Sequence, residues 1–188
     1  MPRNGEEARR RLQQAALELF SERGYEQSTA SEIAARAGVT ERTFFRHFPD
    51  KREVLFDGQI TLSAALTSAI TEAPETLKPL ETLSRAFRSV EQILEDNRPF
   101  SVPRQQVIAK TPALQERETA KEAALTEDMA QALRRRGVDE RTARLAAQTG
   151  MAAFHYAVVS WFADPSRRLG AHLDNAFDEL CRLSAPLS

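Results

Sequence analysis

The residues whose types and spacing suggest chemistry lie between positions 29 and 51. Phe44 and Phe48 are four apart and form the apolar pair of a short predicted helix from Glu41 to Phe48. Glu41, Arg42, Thr43, Phe45, Arg46 and His47 therefore fall outside that buried stripe. Arg42 and Arg46 share one face by i, i+4 spacing. A guanidinium donates two parallel hydrogen bonds that match O6 and N7 of guanine in the major groove. Lys51 falls at the predicted start of the next helix, where its ammonium and the free backbone N–H groups suit one phosphate. This is the chemistry of nucleic-acid recognition. His47, His155 and His172 are far apart, and no His-x-x-x-His pair, nucleophile elbow or glycine-rich phosphate loop is present, so the chain is not read as an enzyme. Cys181 is the only cysteine, which excludes an intramolecular disulfide and a thiolate zinc site. No metal and no cofactor is expected.

The elements that must hold these residues are short helices with clear ends. Thr29-Ala30-Ser31-Glu32 is a capping box for a helix that turns Ile33, Ala34 and Ala37 inward and stops at Gly38. Thr40 caps the helix after it. Ala34 is small where two helices must cross, Gly38 supplies the turn, and Phe44 plugs the crossing, which is the pattern of a helix-turn-helix. Before it, a helix from about Glu6 to Arg23 carries Leu12, Ala15, Ala16, Leu19 and Phe20 on one stripe. Gly24 then fits a Schellman cap, with Tyr25 packed on Phe20. Two readings of His47 stand, a phosphate contact or packing at a helix end. Arg9, Arg10 and Arg11 are either solvated or over a minor groove, and Arg52 reads as a solvated charge.

The rest of the chain also reads as helix, and no strand pattern of useful length occurs. Helices are expected over Lys51–Thr71, with Gly58 inside, and from Pro79 to about Asn97. A break is expected at Arg98–Pro103, then a short helix to Lys110. Thr111 should cap a helix from Pro112 to about Arg136, and Asp139 one to about Ala163. The last should span Arg167–Leu183. The chain has 188 residues, 41% hydrophobic and 28% charged, with a net charge of −1. Residues 1–56 hold ten Lys and Arg against nine Asp and Glu, so the basic groups act locally rather than coating DNA. No run of 18 apolar residues and no apolar segment after the first arginines is present, so neither a membrane span nor a secretory signal is expected, and the cytoplasm is the expected compartment.

The run AALELFSERGYEQSTASEIAARAGVTERTFFRHFPDKREVL, from Ala15 to Leu55, resembles the DNA-binding domain of the TetR family of bacterial transcription regulators. The matching marks are Gly24-Tyr25, Thr29, Ala37-Gly38-Val39-Thr40, Thr43-Phe44-Phe45-Arg46-His47-Phe48 and Lys51. The resemblance implies an all-α fold of about nine helices. A three-helix helix-turn-helix domain over residues 1–50 would precede a helical ligand-binding and dimerisation domain over 51–188. Carried over by position, Thr29, Thr43, His47 and Lys51 contact phosphates. Glu41, Arg42, Phe45 and Arg46 face bases or the groove wall, and Thr40 joins the DNA-binding set. Phe45 departs from the family's tyrosine and lacks its hydroxyl.

The implied function is a ligand-responsive regulator, a repressor by the family's habit. It would bind double-stranded palindromic operator DNA as a homodimer and leave it on binding a small hydrophobic effector. The alternative is a DNA-binding regulator without a small-molecule effector, acting as an activator or under a protein partner. Phe87, Arg88, Phe100, Arg104, Ile108, Met129, Phe154 and His155 are the candidate pocket, although each aromatic also fits an ordinary core. Ala146, Gly150, Ala157, Trp161, Leu173, Phe177 and Leu180 are the candidate dimer interface, with an intrachain core as the competing reading. Val107–Leu114 with Trp161 is similar to an actinobacterial subgroup of the family whose regulators sense hydrophobic acyl-type molecules.

Overall fold

The computed structural model describes residues 3–183, with side chains from Gly5 onward. Among them are nine α-helices and no strand. The helices are α1 (Arg3–Arg23), α2 (Ala30–Arg36), α3 (Glu41–His47), α4 (Gln59–Thr71), α5 (Pro79–Ser89), α6 (Glu91–Ala109), α7 (Pro112–Arg135), α8 (Glu140–Ala163) and α9 (Leu169–Leu183), with one 3-10 turn at Glu53–Leu55. Contacts divide the chain into two compact units. One holds the residues through Gly58 together with Arg98–Thr119, and the other holds Gln59–Asn97 with the chain from Ala120 onward. The split expected at residue 50 thus falls later, because Val54, Leu55 and Phe56 are buried in the first unit's core.

In the first unit, the stripe Leu12, Ala15, Ala16, Leu19 and Phe20 is buried as expected. The Gly24 N–H donates to the Phe20 carbonyl at 3.0 Å, with Gly24 at φ 85°. That single bond is the simpler left-handed cap, not the expected Schellman pair. The Tyr25 ring meets Phe20 edge-on at 5.2 Å. The Schellman pair occurs instead at Gly38 (φ 67°), where Val39 N–H donates to Ala34 O and Gly38 N–H to Ala35 O. The capping box at Thr29 is complete, and Thr40 caps α3 through Thr43 N–H. Ile33, Ala34, Phe44 and Phe48 share one core with α1 and with Val107, Ile108 and Leu114.

No helix begins at Lys51. Asp50 Oδ1 accepts the N–H groups of Arg52 and Glu53 at 2.8 and 3.0 Å and starts only the 3-10 turn. Gly58, expected inside a helix, has φ 88° and separates that turn from α4. The left-handed backbone there is what ends one segment and starts another. The stretch 53–71 is apolar enough on average for a membrane span. Its continuous helix, however, has only 13 residues, about 20 Å against a hydrocarbon core of about 30 Å.

In the second unit, α5 packs on α4, α8 and α9, and α8 packs on α9. Arg136 donates to the Ile70, Ala73 and Pro74 carbonyls and so satisfies the open end of α4. The expected break at residues 98–103 is absent: α6 continues through Pro99 and Pro103, and the chain breaks earlier, at Val90. The two prolines are four apart, so the amide bonds they remove lie along one side of the helix. Thr111 does not cap α7; its hydroxyl donates back to Val107 O at 2.9 Å. Asp139 caps α8 as expected, by accepting Thr142 N–H. The last helix starts at Leu169, whose N–H is accepted by Glu95 Oε1 at 2.6 Å.

The small-residue stripe of α8 packs into this chain's own core, the competing reading of the candidate dimer interface. Ala146, Gly150, Ala157, Trp161, Leu173 and Phe177 are buried within the unit, and Leu180 packs partly against the same cluster. A Cβ on Gly150 would come within 2.8 Å of Leu83 Cδ1, so the missing side chain lets α5 approach α8. Replacement of Gly150 by valine should lower unfolding free energy by about 1–3 kcal/mol through overpacking. Urea titration of the Gly150→Val protein measures this; an unchanged midpoint would show that Leu83 moves aside freely.

Candidate nucleic-acid interface

α3 is seven residues long, and its two sides differ sharply. Phe44 is fully buried, its ring 5.8 Å from that of Phe48 and 5.3 Å from that of Phe45. Glu41, Arg42, Phe45 and Arg46 are exposed, Phe45 at 51%. Thr40 and Thr43 share a hydrogen bond between hydroxyls at 3.0 Å. Thr29 is exposed, and Glu32 accepts from both its N–H and its hydroxyl at 2.9 Å. Those bonds hold the Glu32 carboxyl below the usual carboxylate range.

Ion pairing sorts the basic residues of this unit. Arg9 donates two hydrogen bonds to Asp57, which also accepts from Gln13 at 3.2 Å. Arg23 pairs with Glu32 at 3.1 Å and Arg36 with Glu22 at 2.7 Å. Arg52 lies 3.7 Å from Asp50 and 3.5 Å from Glu53. Arg10, Arg11, Arg42 and Arg46 are exposed and pair with no carboxylate among the described residues. Arg9 is therefore set apart from its two neighbours, which sequence spacing alone did not separate. The Arg9–Asp57 contact spans 48 positions and leaves no local signal.

His47 and Lys51 differ from their expected settings. The His47 Nε2 is shut away from solvent and has no hydrogen-bond partner among the described residues. Burial, then the nearby Arg46 and Arg9 cations, push its pKa down, with Asp57 opposing. Lys51 stands at no helix start, and its Nζ donates to the carbonyls of Tyr25 and Ser28 at 2.8 and 3.0 Å. The ammonium placed for phosphate by its expected helix position is occupied by backbone.

The candidate pocket residues divide between the two units. Phe100, Arg104 and Ile108 belong to the first unit, and Phe87, Arg88, Met129, Phe154 and His155 to the second. Phe87 and Met129 are fully buried in the second unit's core, where Phe87 stacks on Phe154 at 4.5 Å. The polar members are engaged elsewhere. Arg88 is exposed and lies 3.3 Å from Asp174, and His155 is exposed with Nδ1 3.3 Å from Glu122. Arg104 donates to Leu55 O and pairs with Glu118 at 2.6 Å. Sequence spacing missed the neighbour of that pair: Arg104 and Arg117 each lie 4.9 Å from the Phe56 ring, and Arg117 grips both oxygens of Glu53. No group of three or more His, Cys, Asp or Glu that could hold a metal occurs among the described residues.

Two family models match the chain. Residues 12–57 match the bacterial regulatory proteins of the tetR family, and residues 77–184 match the MftR C-terminal domain. TcmR of Streptomyces glaucescens, an HTH-type transcriptional regulator, is 42% identical over 44% of this chain and 36% of its own length. The match thus spans about a third of that relative. MftR of Mycobacterium tuberculosis, named for transcriptional regulation of mycofactocin biosynthesis, is 26% identical over 95% of this chain and 94% of its own. Among solved structures, FadR of Thermus thermophilus, a TetR family repressor in complex with lauroyl-CoA, is 26% identical. It covers 96% of both chains with a TM-score of 0.58.

The lowered pKa of His47 has a defined sign for stability. The folded chain resists the proton that the unfolded chain takes up near pH 6.5, so this residue's share of stability is full above that pH. It falls as pH drops below about 6.5 and levels off below the folded pKa. Unfolding free energies of the wild type and His47→Gln, measured by urea titration from pH 8 to pH 5, should run parallel above neutrality. Below it the wild type should fall more steeply; parallel curves throughout would refute the assignment.

Proposed function

The chain belongs to the TetR family of bacterial regulatory proteins, and on that premise we propose that it is a ligand-controlled repressor that reads a palindromic operator through α3. The observation that carries this reading is the state of α3: Arg42, Phe45 and Arg46 are exposed and the two cations unpaired, on a helix anchored from behind by Phe44. Arg42 and Arg46 would reach guanine edges, and Phe45 would pack on a thymine methyl or sugar. Thr29 and Thr40 would meet phosphates from exposed capping positions, Thr43 from the half-buried first turn of α3, and Glu41 would face the groove wall. His47 would approach phosphate through Nδ1, since Nε2 faces inward. Arg10 and Arg11 extend the unpaired positive charge along α1. Such a protein acts in the cytoplasm, where its operator is.

One reader covers half of a palindrome, so a second copy is required. The surface suited to it is a stripe on α8: Leu145, Tyr156 and Val159 are 63%, 64% and 49% exposed, with exposed Ala152 between them. Apolar side chains in line on a solvent face mark a binding surface. The effector is read as a small hydrophobic molecule of acyl type. The likeness to FadR, solved in complex with lauroyl-CoA, supports that class. A ligand that favours the state less suited to DNA must weaken operator binding by the same coupling free energy.

Binding to the DNA flanking its own gene, measured at fixed ionic strength, tests the reader. Arg42→Ala and Arg46→Ala should each cost about 1–3 kcal/mol of specific affinity and leave thermal stability nearly unchanged. Equal binding by wild type and double variant would sink the assignment of α3. Long-chain acyl-CoA should then release the wild type from DNA; failure of acyl-CoAs and lipophilic drugs alike would favour a regulator without a small-molecule effector. Leu145→Asp with Tyr156→Asp should convert a dimer to a folded monomer in sedimentation experiments. A folded variant that stays dimeric would move the interface elsewhere.

A further inference from the structure

Lys51 sits inside a cage of main-chain oxygens. Its Nζ donates to Tyr25 O at 2.8 Å and Ser28 O at 3.0 Å, and Glu26 O lies at 3.5 Å. The same nitrogen is 4.2 Å from the centroid of the Tyr25 ring. An ammonium has three N–H donors, and three carbonyls take up its donor capacity. The loop that supplies them is itself closed. Ser28 is buried, its hydroxyl donates to Gly24 O at 2.9 Å, and its N–H donates to Tyr25 O at 3.3 Å. Carbonyls in a loop need donors; the Ser28 N–H reaches Tyr25 O alone, whereas Lys51 reaches all three.

The place of Lys51 in the chain gives the cage its consequence. Tyr25–Ser28 immediately precede the Thr29 cap of α2, and Lys51 follows α3 by three positions beyond Phe48. Asp50 fixes the backbone on that side through the N–H groups of Arg52 and Glu53. One side chain therefore ties the entrance of α2 to the exit of α3 and encloses both helices in a closed circuit. Helices of seven residues do not persist alone, so what holds their ends holds their angle.

We infer that Lys51 is a positioning residue, which fixes the angle at which α3 is presented by binding the α1–α2 loop and does not itself contact DNA. The inference rests on the reading of α3 as the operator-binding helix. A phosphate contact and a positioning role differ in their response to salt. Each phosphate neutralised by a cation steepens the slope of log K against log salt by about 0.9. A residue that acts through the loop contributes nothing to that slope.

The test compares wild type, Lys51→Met and Lys51→Gln for operator affinity across a series of salt concentrations. Hydrogen exchange over residues 24–36 is measured alongside on the DNA-free proteins. Lys51→Met should bind on the order of tenfold more weakly with an unchanged salt slope, the loss expected for charge-assisted hydrogen bonds removed from a loop. Exchange over 24–36 should quicken while α8 keeps its protection. Lys51→Gln, a donor without charge, should keep more affinity than Lys51→Met, and it carries both measurements if the methionine variant fails to fold. A slope shallower by about 0.9 per protomer would show a phosphate contact and overturn the inference. Unchanged affinity in a folded Lys51→Met protein would overturn it as well, leaving Lys51 with a part in stability only. If the wild type binds no operator, the reading of α3 fails by itself. Exchange then decides the cage alone, and unchanged rates over 24–36 in Lys51→Met would refute it.

Discussion

A helix of seven residues closes too few hydrogen bonds to offset the entropy of ordering its chain. α2 and α3 are both of that length, so their existence depends on a surface to lie against. Phe44 and Phe48 provide it from one side, with Ile33 and Ala34 from the other, against the buried stripe of α1. The caps at Thr29 and Thr40 then set where each helix starts, and Gly38 sets the turn between them. Every exposed position of α3 takes its direction from that packing. An error in the core would be felt as an error in which side chains meet DNA.

Charge is laid over this frame with a clear separation of roles. Arginines whose partners lie on another segment tie those segments together: Arg9 holds α1 to the turn at Asp57, and Arg36 holds α2 to α1 through Glu22. Arg42 and Arg46 have no such partner among the described residues and stand exposed on α3. The near-zero charge of the whole sequence conceals the difference, because paired and unpaired cations count alike in a sum. What distinguishes them is distance in space to a carboxylate, and composition does not carry it.

The same distinction explains which features were legible in the sequence. Local chemistry was readable: the capping box at Thr29, the Thr40 and Asp139 caps, the burial of Phe44 and the helical class of the chain all follow from neighbours within four residues. Features decided by distant contacts were not. Prolines at 99 and 103 suggested a break, yet α6 passes through both. Lys51 was placed at a helix start that Gly58 moves to Gln59. The small residues of α8 looked like a meeting place for a second chain, yet they are buried in this chain's own core, and Leu83 of the same chain occupies the space beside Gly150. In that last case the local signal was real, and the partner that gives it meaning lay tens of residues away in the sequence.

The contact between Phe56 and the guanidinium groups of Arg104 and Arg117 bears on how portable this reader is. The first unit is discontinuous, since Arg98–Thr119 return to it after the chain has visited the other unit. Val107, Ile108 and Leu114 complete its core, and Arg117 holds Glu53. A chimera built by grafting the first 58 residues onto another regulator would leave Phe56 without its two guanidinium neighbours and Glu53 without Arg117, and would uncover part of an apolar core. The transplantable cassette is therefore not an N-terminal stretch. It is two stretches of sequence that must travel together, which couples the evolution of the reader to part of the chain beyond it.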